Sequence, residues 1–340
     1  MKKVVLFGEI MLRLAPNGYY RFFQNDQMQA TFGGAEANVA VSLANFGENA
    51  LYVTKLPTHA IGQAAVSSLR AFGVNTSEIV RGGERVGIYY MEKGASQRGS
   101  LCIYDRDHSS IKTSVPSDFD WAKIMEGADW FHFTGITPAL GPNLVETLKD
   151  ACKEAHKAGA KISCDLNYRS KLWTREEARA AMTELCSYVD VCISNEEDAK
   201  DVFGIEAANS DIGKGKLDRD GYRSVAEQLR DRFGFEKVAF TLRSSFSASD
   251  NDWAGMLYNG RDCFFSPTHH LHIVDRVGGG DSFGAGLIYA LSNGYDDQEA
   301  INFAVAASAL KHSIEGDFNR VTVAEVRKLA GGDSSGRVSR

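Results

Sequence analysis

Residues 129–203 read DWFHFTGITPALGPNLVETLKDACKEAHKAGAKISCDLNYRSKLWTREEARAAMTELCSYVDVCISNEEDAKDVF. Three short runs rich in apolar and β-branched residues (DWFHFTGI, AKISCDL and VDVCIS) alternate with stretches at helical spacing, residues 143–158, 175–187 and 196–203. Strands that alternate with helices predict a parallel sheet covered on both faces, joined by right-handed crossovers. Upstream, residues 4–8 form a short buried strand that ends in Gly-Glu, and residues 13–32 suit short antiparallel strands. Gly33-Gly34 then opens a helix that stops at Gly47. The runs RVGIYYMEK and SLCIYDR predict a hairpin between residues 85 and 105 that pairs with the 12–32 region as a small separate sheet. Downstream, residues 206–222 read as an exposed loop, residues 238–242 as a strand, and 253–258 with 262–265 as a hairpin. Three helical patterns fill residues 280–330, and the polar tail 331–340 reads as disordered. The expectation is an α/β chain with one domain over residues 1–330.

Composition narrows the function. The chain has 340 residues, 44% hydrophobic and 24% charged, with 38 basic against 44 acidic side chains and a net charge of −6. That balance offers no general attraction for nucleic acid or anionic lipid. Cys102, Cys152, Cys164, Cys186, Cys192 and Cys263 lack CxxC spacing, which predicts reduced thiols rather than a disulfide framework or structural zinc. Glu9 interrupts the N-terminal apolar run, so that run reads as a strand and not a signal peptide. No apolar stretch reaches the roughly 18 residues of a membrane span. A soluble, cytoplasmic protein is expected.

The sharpest chemical feature is DRVGGGDSFGAGLIYAL, residues 275–291. Three glycines before a helix let several N–H groups converge on one point at the helix N-terminus, an anion hole. Asp281 has two readings there. It caps its own helix, or it accepts the proton of a hydroxyl attacking a phosphoryl group held by the amides of Gly278, Gly279 and Gly280. GxxxxGK[ST], the protein-kinase HRD and DFG sequences, and a GxGxxG after the first strand are all missing from the sequence. A Walker-type phosphate loop, a protein kinase and a dinucleotide oxidoreductase are thereby disfavoured.

The succession VVLFGEIML, GGAEANVA near residue 33 and VGGGDSFGAG near residue 278, the latter two about 245 residues apart, resembles the ribokinase-like (pfkB) carbohydrate kinases over essentially the whole chain. The resemblance implies a doubly wound, mostly parallel sheet flanked by helices, with a β-sheet lid from about 12–32 and 85–107. It implies ATP as phosphate donor, Mg2+, and Asp281 as the base. TKLPTHAIG (54–62), IYDR ending at Arg106, DLNYR (165–169), TLRSSFSAS (241–249) and HSIEGDFN (312–319) are most similar to the 2-keto-3-deoxygluconate kinases. A carboxylate-bearing substrate suits arginine forks, so Arg106 and Arg169 become candidates to hold it. Gly33 and Gly34 allow close approach of a sugar to backbone, and Asn38 offers a donor and an acceptor. By family likeness Tyr89 and Tyr104 close over the substrate and Asp317 is a further contact. Each also has a structural reading: interface packing for the tyrosines, a turn residue for Asp317.

For the nucleotide, Asn195 to Asp198 resembles the family's NxxE motif, which organises magnesium through water, with the shorter Asp198 in the last position. The same acids also suit a helix N-terminus. Asn167 and Arg169 reach toward phosphates in this comparison. Where relatives have a TLG turn the chain has Thr241-Leu242-Arg243, which makes Arg243 a phosphate candidate, and Val305 stands where relatives often place Asn against adenine. Asp275 leaves open a monovalent-cation loop. His132, His269, His270 and His272 lack ligand spacing and read as packed or exposed histidines. The expected function is ATP-dependent phosphorylation of the 6-hydroxyl of 2-keto-3-deoxygluconate. The rivals are a neutral-sugar kinase such as a fructokinase, a nucleoside kinase of the same family, and a non-catalytic sugar-binding regulator. An apolar lid edge predicts a homodimer paired through the lid.

Overall fold

A computed structural model describes residues 1–207 and 219–333. The chain begins with β1 (Lys3–Phe7), whose Val4 to Phe7 run is completely buried, then leaves the core as the antiparallel pair β2 (Met11–Ala15) and β3 (Gln29–Gly33). Helix α1 (Ala35–Asn45) returns it to β4 (Asn49–Val53), parallel to β1. A short parallel pair, β5 (Lys55–Leu56) and β6 (Val80–Arg81), brackets α2 (Ala60–Arg70), and the hairpin β7 (Ile88–Glu92) and β8 (Leu101–Asp105) follows. After α3 (Trp121–Met125) the alternation is regular: β9 (Trp130–Thr134), α4 (Pro142–Ala158), β10 (Lys161–Asp165), α5 (Arg175–Leu185), β11 (Val191–Ser194) and α6 (Glu196–Phe203). Helix α7 (Arg219–Phe233) precedes β12 (Lys237–Ser245) and an antiparallel ribbon of β13 (Asp250–Tyr258), β14 (Cys263–Phe265) and β15 (His269–His272). The helices α8 (Gly279–Ser292), α9 (Asp297–Lys311) and α10 (Val323–Ala330) complete the described chain.

The main sheet runs in the order β14-β13-β12-β11-β10-β9-β1-β4, with β15 paired to β13. From β4 to β12 all neighbours are parallel. Two apolar clusters fill its two faces: α3 to α7 supply Leu144, Ala178, Ala199 and Val225 on one side, and α1, α2 and α8 to α10 supply Ala37, Ala65, Phe283, Ala300 and Val326 on the other. This is the doubly wound arrangement. Local signals set the helix ends: Thr174 with Glu177 and Asp296 with Glu299 form capping boxes, and Pro142 opens α4. The lid is a separate sheet in the order β3-β2-β7-β8, antiparallel at both edges and parallel at the β2-β7 centre.

The expected strands, hairpins and three final helices are all present. One element differs: the loop expected over 206–222 gives way by Arg219 to α7, which buries Val225, Ala226 and Leu229. Residues 208–218 of that expected loop, and 334–340 of the expected disordered tail, lie outside the described residues. No helix among the described residues is long and apolar enough to cross a membrane.

Candidate active site

From β1 the strand order grows one way to β4 and the other way through β9, β10, β11 and β12. Connections that leave in opposite directions open a crevice beyond the carboxyl ends of the strands. A cleft of about 1140 Å³ occupies it. Its walls are the loops after β1, β9, β10 and β11, the lid strands β7 and β8, and the start of α8.

Gly278 precedes α8 with φ +81°, and a Cβ there would sit 2.2 Å from the Asp317 carbonyl oxygen. Only glycine satisfies both constraints. The cap position carries no side-chain hydrogen bond. The Gly279 amide is taken by the Arg276 carbonyl at 3.2 Å, and Ser282 donates to the Gly278 carbonyl. The amides of Gly278, Gly280 and Asp281 make no hydrogen bond to any described residue, and all three residues line the cleft. Of the expected Gly278 to Gly280 set, Gly278 and Gly280 therefore keep open donors, and the Asp281 amide is open in place of that of Gly279. The Asp281 side chain does not cap its helix: its Oδ2 accepts from Asn38 Nδ2 at 2.7 Å. Burial pushes its pKa up to about 6; the Asn38 hydrogen bond pulls the other way, nearby Asp317 raises it, and Arg169 and Lys311 lower it.

Two more carboxylates face the cleft from the neighbouring strand ends. Asp165 closes β10, and Asp198 lies in the first turn of α6. Burial pushes Asp198 up to about 7 and Asp165 well above the ordinary range, the latter raised further by Asp198 and Asp281. Asn195 caps α6 by accepting from the Glu197 and Asp198 amides, both at 2.9 Å, and donates to Asp198 at 2.8 Å. Asp198 also accepts from the Tyr168 amide at 3.1 Å. Hard oxygen donors that repel one another in a half-dry crevice are the donor set a divalent magnesium suits, so the residues present fit that ion. Asn167, buried with φ +39°, and the exposed Arg169 line the same wall.

On the lid side, Gly34, Asn38, Tyr89, Tyr104, Arg106 and Asp317 all line the cleft. A Cβ on Gly34 would meet the Glu9 carbonyl oxygen at 2.0 Å, while Gly33 lies behind the lining, against the Asp317 carboxyl. Arg106 is buried and doubly bonded to Glu9 through Nε and Nη2, and Ser109 donates to the other Glu9 oxygen at 2.6 Å. Its Nη1 makes no hydrogen bond to a described residue. Tyr89 donates to Asp317, which also accepts from Arg13 Nη1 at 2.7 Å; Arg13 Nη2 reaches Asp275 at 2.7 Å. The tyrosine rings stand 6.1 Å apart.

Thr241 and Arg243 line the far wall. Val305 does not reach the cleft: it is completely buried in α9, packed toward Gly255, so the expected adenine contact is not formed by this side chain. His132 is buried beside Ser163, while His270 and His272 face Asp252 and Asp250 across β15 and β13. Among the described residues no group of three or more His, Cys, Asp or Glu side chains is placed to hold a metal ion by itself, so the carboxylate donor set the cleft offers magnesium is the Asp165 and Asp198 pair. The sequence reading missed Glu9, Arg13 and Glu36. Glu36 lies inside the GGAEANVA motif, lines the cleft, and accepts from Thr134 N, Thr134 Oγ1 and Thr137 Oγ1 at 2.8 to 2.9 Å, its pKa raised by burial to about 7.

The profile of the pfkB family carbohydrate kinases matches residues 1–319. The chain belongs to the pfkB family of carbohydrate kinases. As a pfkB kinase it is 33% identical over 333 residues to a 2-dehydro-3-deoxygalactonokinase of Haloferax volcanii, spanning 98% of each chain. It is 26% identical to a 2-dehydro-3-deoxygluconokinase of Thermoproteus tenax, over 93% of this chain and 90% of that one. Its fold matches the crystal structure of a 2-dehydro-3-deoxygluconokinase from Thermotoga maritima with a TM-score of 0.94 and 50% identity, covering 98% of this chain and 100% of the other. Membership in the pfkB kinases makes the chain a phosphotransferase with an alcohol group as acceptor.

Proposed function

We propose that the chain transfers the γ-phosphoryl group of ATP to the 6-hydroxyl of 2-keto-3-deoxygluconate, the compound also named 2-dehydro-3-deoxygluconate. The observation that carries this reading is one cleft that holds Asp281, the open amides of α8 and the guanidinium groups of Arg106 and Arg169 together. The gluconate and galactonate names of the relatives support a sugar-acid acceptor.

In this reading Asp281 accepts the hydroxyl proton as the acceptor oxygen forms its bond to phosphorus and the bond to the bridging oxygen of ADP breaks. The amides of Gly278, Gly280 and Asp281 stabilise charge on the transferred group. Asn38 orients Asp281. Arg106 and Arg169 take the acceptor carboxylate, with Gly34, Tyr89, Tyr104 and Asp317 around the sugar. Asn167, Asn195, Thr241 and Arg243 line the nucleotide side. Asp165 and Asp198 would hold magnesium, Asp198 through water, and the ion would there supply positive charge to the phosphates. The lid tyrosines exclude water that would otherwise take the phosphoryl group.

One observation favours a second reading, a neutral sugar such as fructose: Glu9 already pairs with Arg106, so the positive charge on the lid side is partly spent. An ADP-release screen over sugar acids and neutral sugars separates the two. Turnover on 2-keto-3-deoxygluconate well above that on fructose supports the first reading; the reverse order overturns it. No ADP release from any sugar leaves the regulator reading.

A further inference from the structure

Lys311 ends α9, and its side chain is completely buried. The ammonium donates to two backbone carbonyls, Ile314 O at 3.0 Å and Asp275 O at 3.4 Å. These carbonyls belong to the two segments that frame the anion hole. Asp275 begins the glycine loop, and its carboxylate accepts from the Val277 and Gly316 amides, both at 3.1 Å. Ile314 begins the turn that delivers Asp317. The lysine stem passes under the loop, with Cε 3.3 Å from where a Gly278 Cβ would stand. Asp275, Asp317, Asp281 and Arg13 are the charged groups around it.

Backbone carbonyls converging from two loops, close to acids and shut off from solvent, are what a dehydrated monovalent cation requires. The sequence leaves such a cation open beside Asp275. The residues present do not fit a free ion there, because a covalently attached ammonium already takes the carbonyls. We propose that Lys311 is a built-in monovalent cation: it ties the glycine loop to the 314–317 turn, places a fixed positive charge behind the anion hole, and makes the enzyme independent of potassium. Lys311 acts through the loop and touches neither substrate, so it is a positioning residue.

The test has one readout independent of catalysis. Crystals of the full chain are soaked in rubidium chloride, and the anomalous signal is examined between Asp275 O and Ile314 O. Wild-type protein is expected to show no rubidium peak there, and Lys311→Ala is expected to gain one. Turnover is compared in potassium chloride and choline chloride at equal ionic strength, where the wild-type rates are expected to match. Lys311→Met keeps the stem and removes the charge; a roughly 10- to 100-fold loss in kcat with acceptor KM unchanged is expected, the range seen when groups supporting a bound cation are lost. A rubidium peak in the wild-type protein, potassium-dependent wild-type turnover, or wild-type kcat in Lys311→Met overturns the proposal. If Lys311→Met fails to fold, the wild-type soak and salt comparison still decide. The inference rests on the kinase reading only for its rate effect: a chain inactive on every sugar acid defeats that reading, while the rubidium result judges Lys311 alone.

Discussion

Asn38 donates its side-chain amide to the Asp281 carboxylate at 2.7 Å, joining positions 243 residues apart in the chain. The Asn38 Oδ1 also accepts from the Gly34 amide at 3.4 Å. One side chain thus links the turn after the lid to the first turn of α8, and an acid that burial pushes toward neutrality stays more acidic because of it. Asn38→Ala removes the donor that favours the ionised form. Its pH–rate profile is expected to have its acidic limb above the wild-type value of about 6, and kcat at pH 6 should fall more than kcat at pH 8. An unshifted limb would show that Asn38 does not act on Asp281.

The acids of the cleft also predict how stability responds to pH. Asp281 and Asp198 have folded pKa values raised to about 6 and 7, from an ordinary 3.8, and Asp165 is raised as well. A carboxyl whose folded pKa is raised contributes stability that is complete below its unfolded value and is lost as pH climbs through the folded one. In metal-free buffer these groups lower the melting temperature between about pH 4 and pH 7. If magnesium is held by Asp165 and Asp198 as proposed, it needs their ionised forms, so it should raise the melting temperature at pH 8 and leave it unchanged at pH 4. Differential scanning fluorimetry with and without magnesium checks this; an equal shift at both values would place the ion elsewhere.

Arg106 cannot be altered without consequence for Glu9. Both side chains are buried, so Arg106→Ala leaves a carboxylate in the interior with Ser109 as its remaining side-chain partner, a loss of about 3–5 kcal/mol by the usual behaviour of broken buried pairs. Arg106→Met with Glu9→Gln removes both charges and should recover most of that stability, measured by urea denaturation. The double variant should still show a raised KM for 2-keto-3-deoxygluconate and an unchanged KM for any neutral sugar it accepts. Equal changes for both substrates would assign Arg106 to the lid's architecture alone.

The lid edge β8 exposes Leu101, Ile103 and Tyr104. An exposed apolar edge strand invites pairing, and a lid-to-lid homodimer would cover it. Light scattering is expected to give the dimer mass, and Ile103→Lys to give the monomer. A monomeric wild-type chain would remove the dimer.

How far the sequence could be read depended on how local each signal was. The order of strands and helices and the Gly278 to Asp281 and Gly34 to Asn38 segments are written in contiguous residues, so pattern alone located them. Helix α7 was hidden by its charge: RDGYRSVAEQLRDRF buries just Val225, Ala226 and Leu229 as apolar side chains among charged and polar neighbours. Glu9 with Arg106, and Arg13 with Asp275 and Asp317, join residues 97, 262 and 304 positions apart, and nothing near either partner announces the other. Glu9 looked like an interruption of a strand, and Arg13 like one more lid residue. Val305 failed for the opposite reason: a likeness placed it by position, whereas the face it presents is set by the packing of α9 against β13.

The most direct test measures initial ADP release from ATP with 2-keto-3-deoxygluconate, for the wild-type chain and Asp281→Asn, alongside ATP affinity by calorimetry. The account predicts a fall in kcat of about 10²–10⁴ for the variant, the usual worth of a general base, with ATP affinity retained. A variant that keeps wild-type kcat would contradict it.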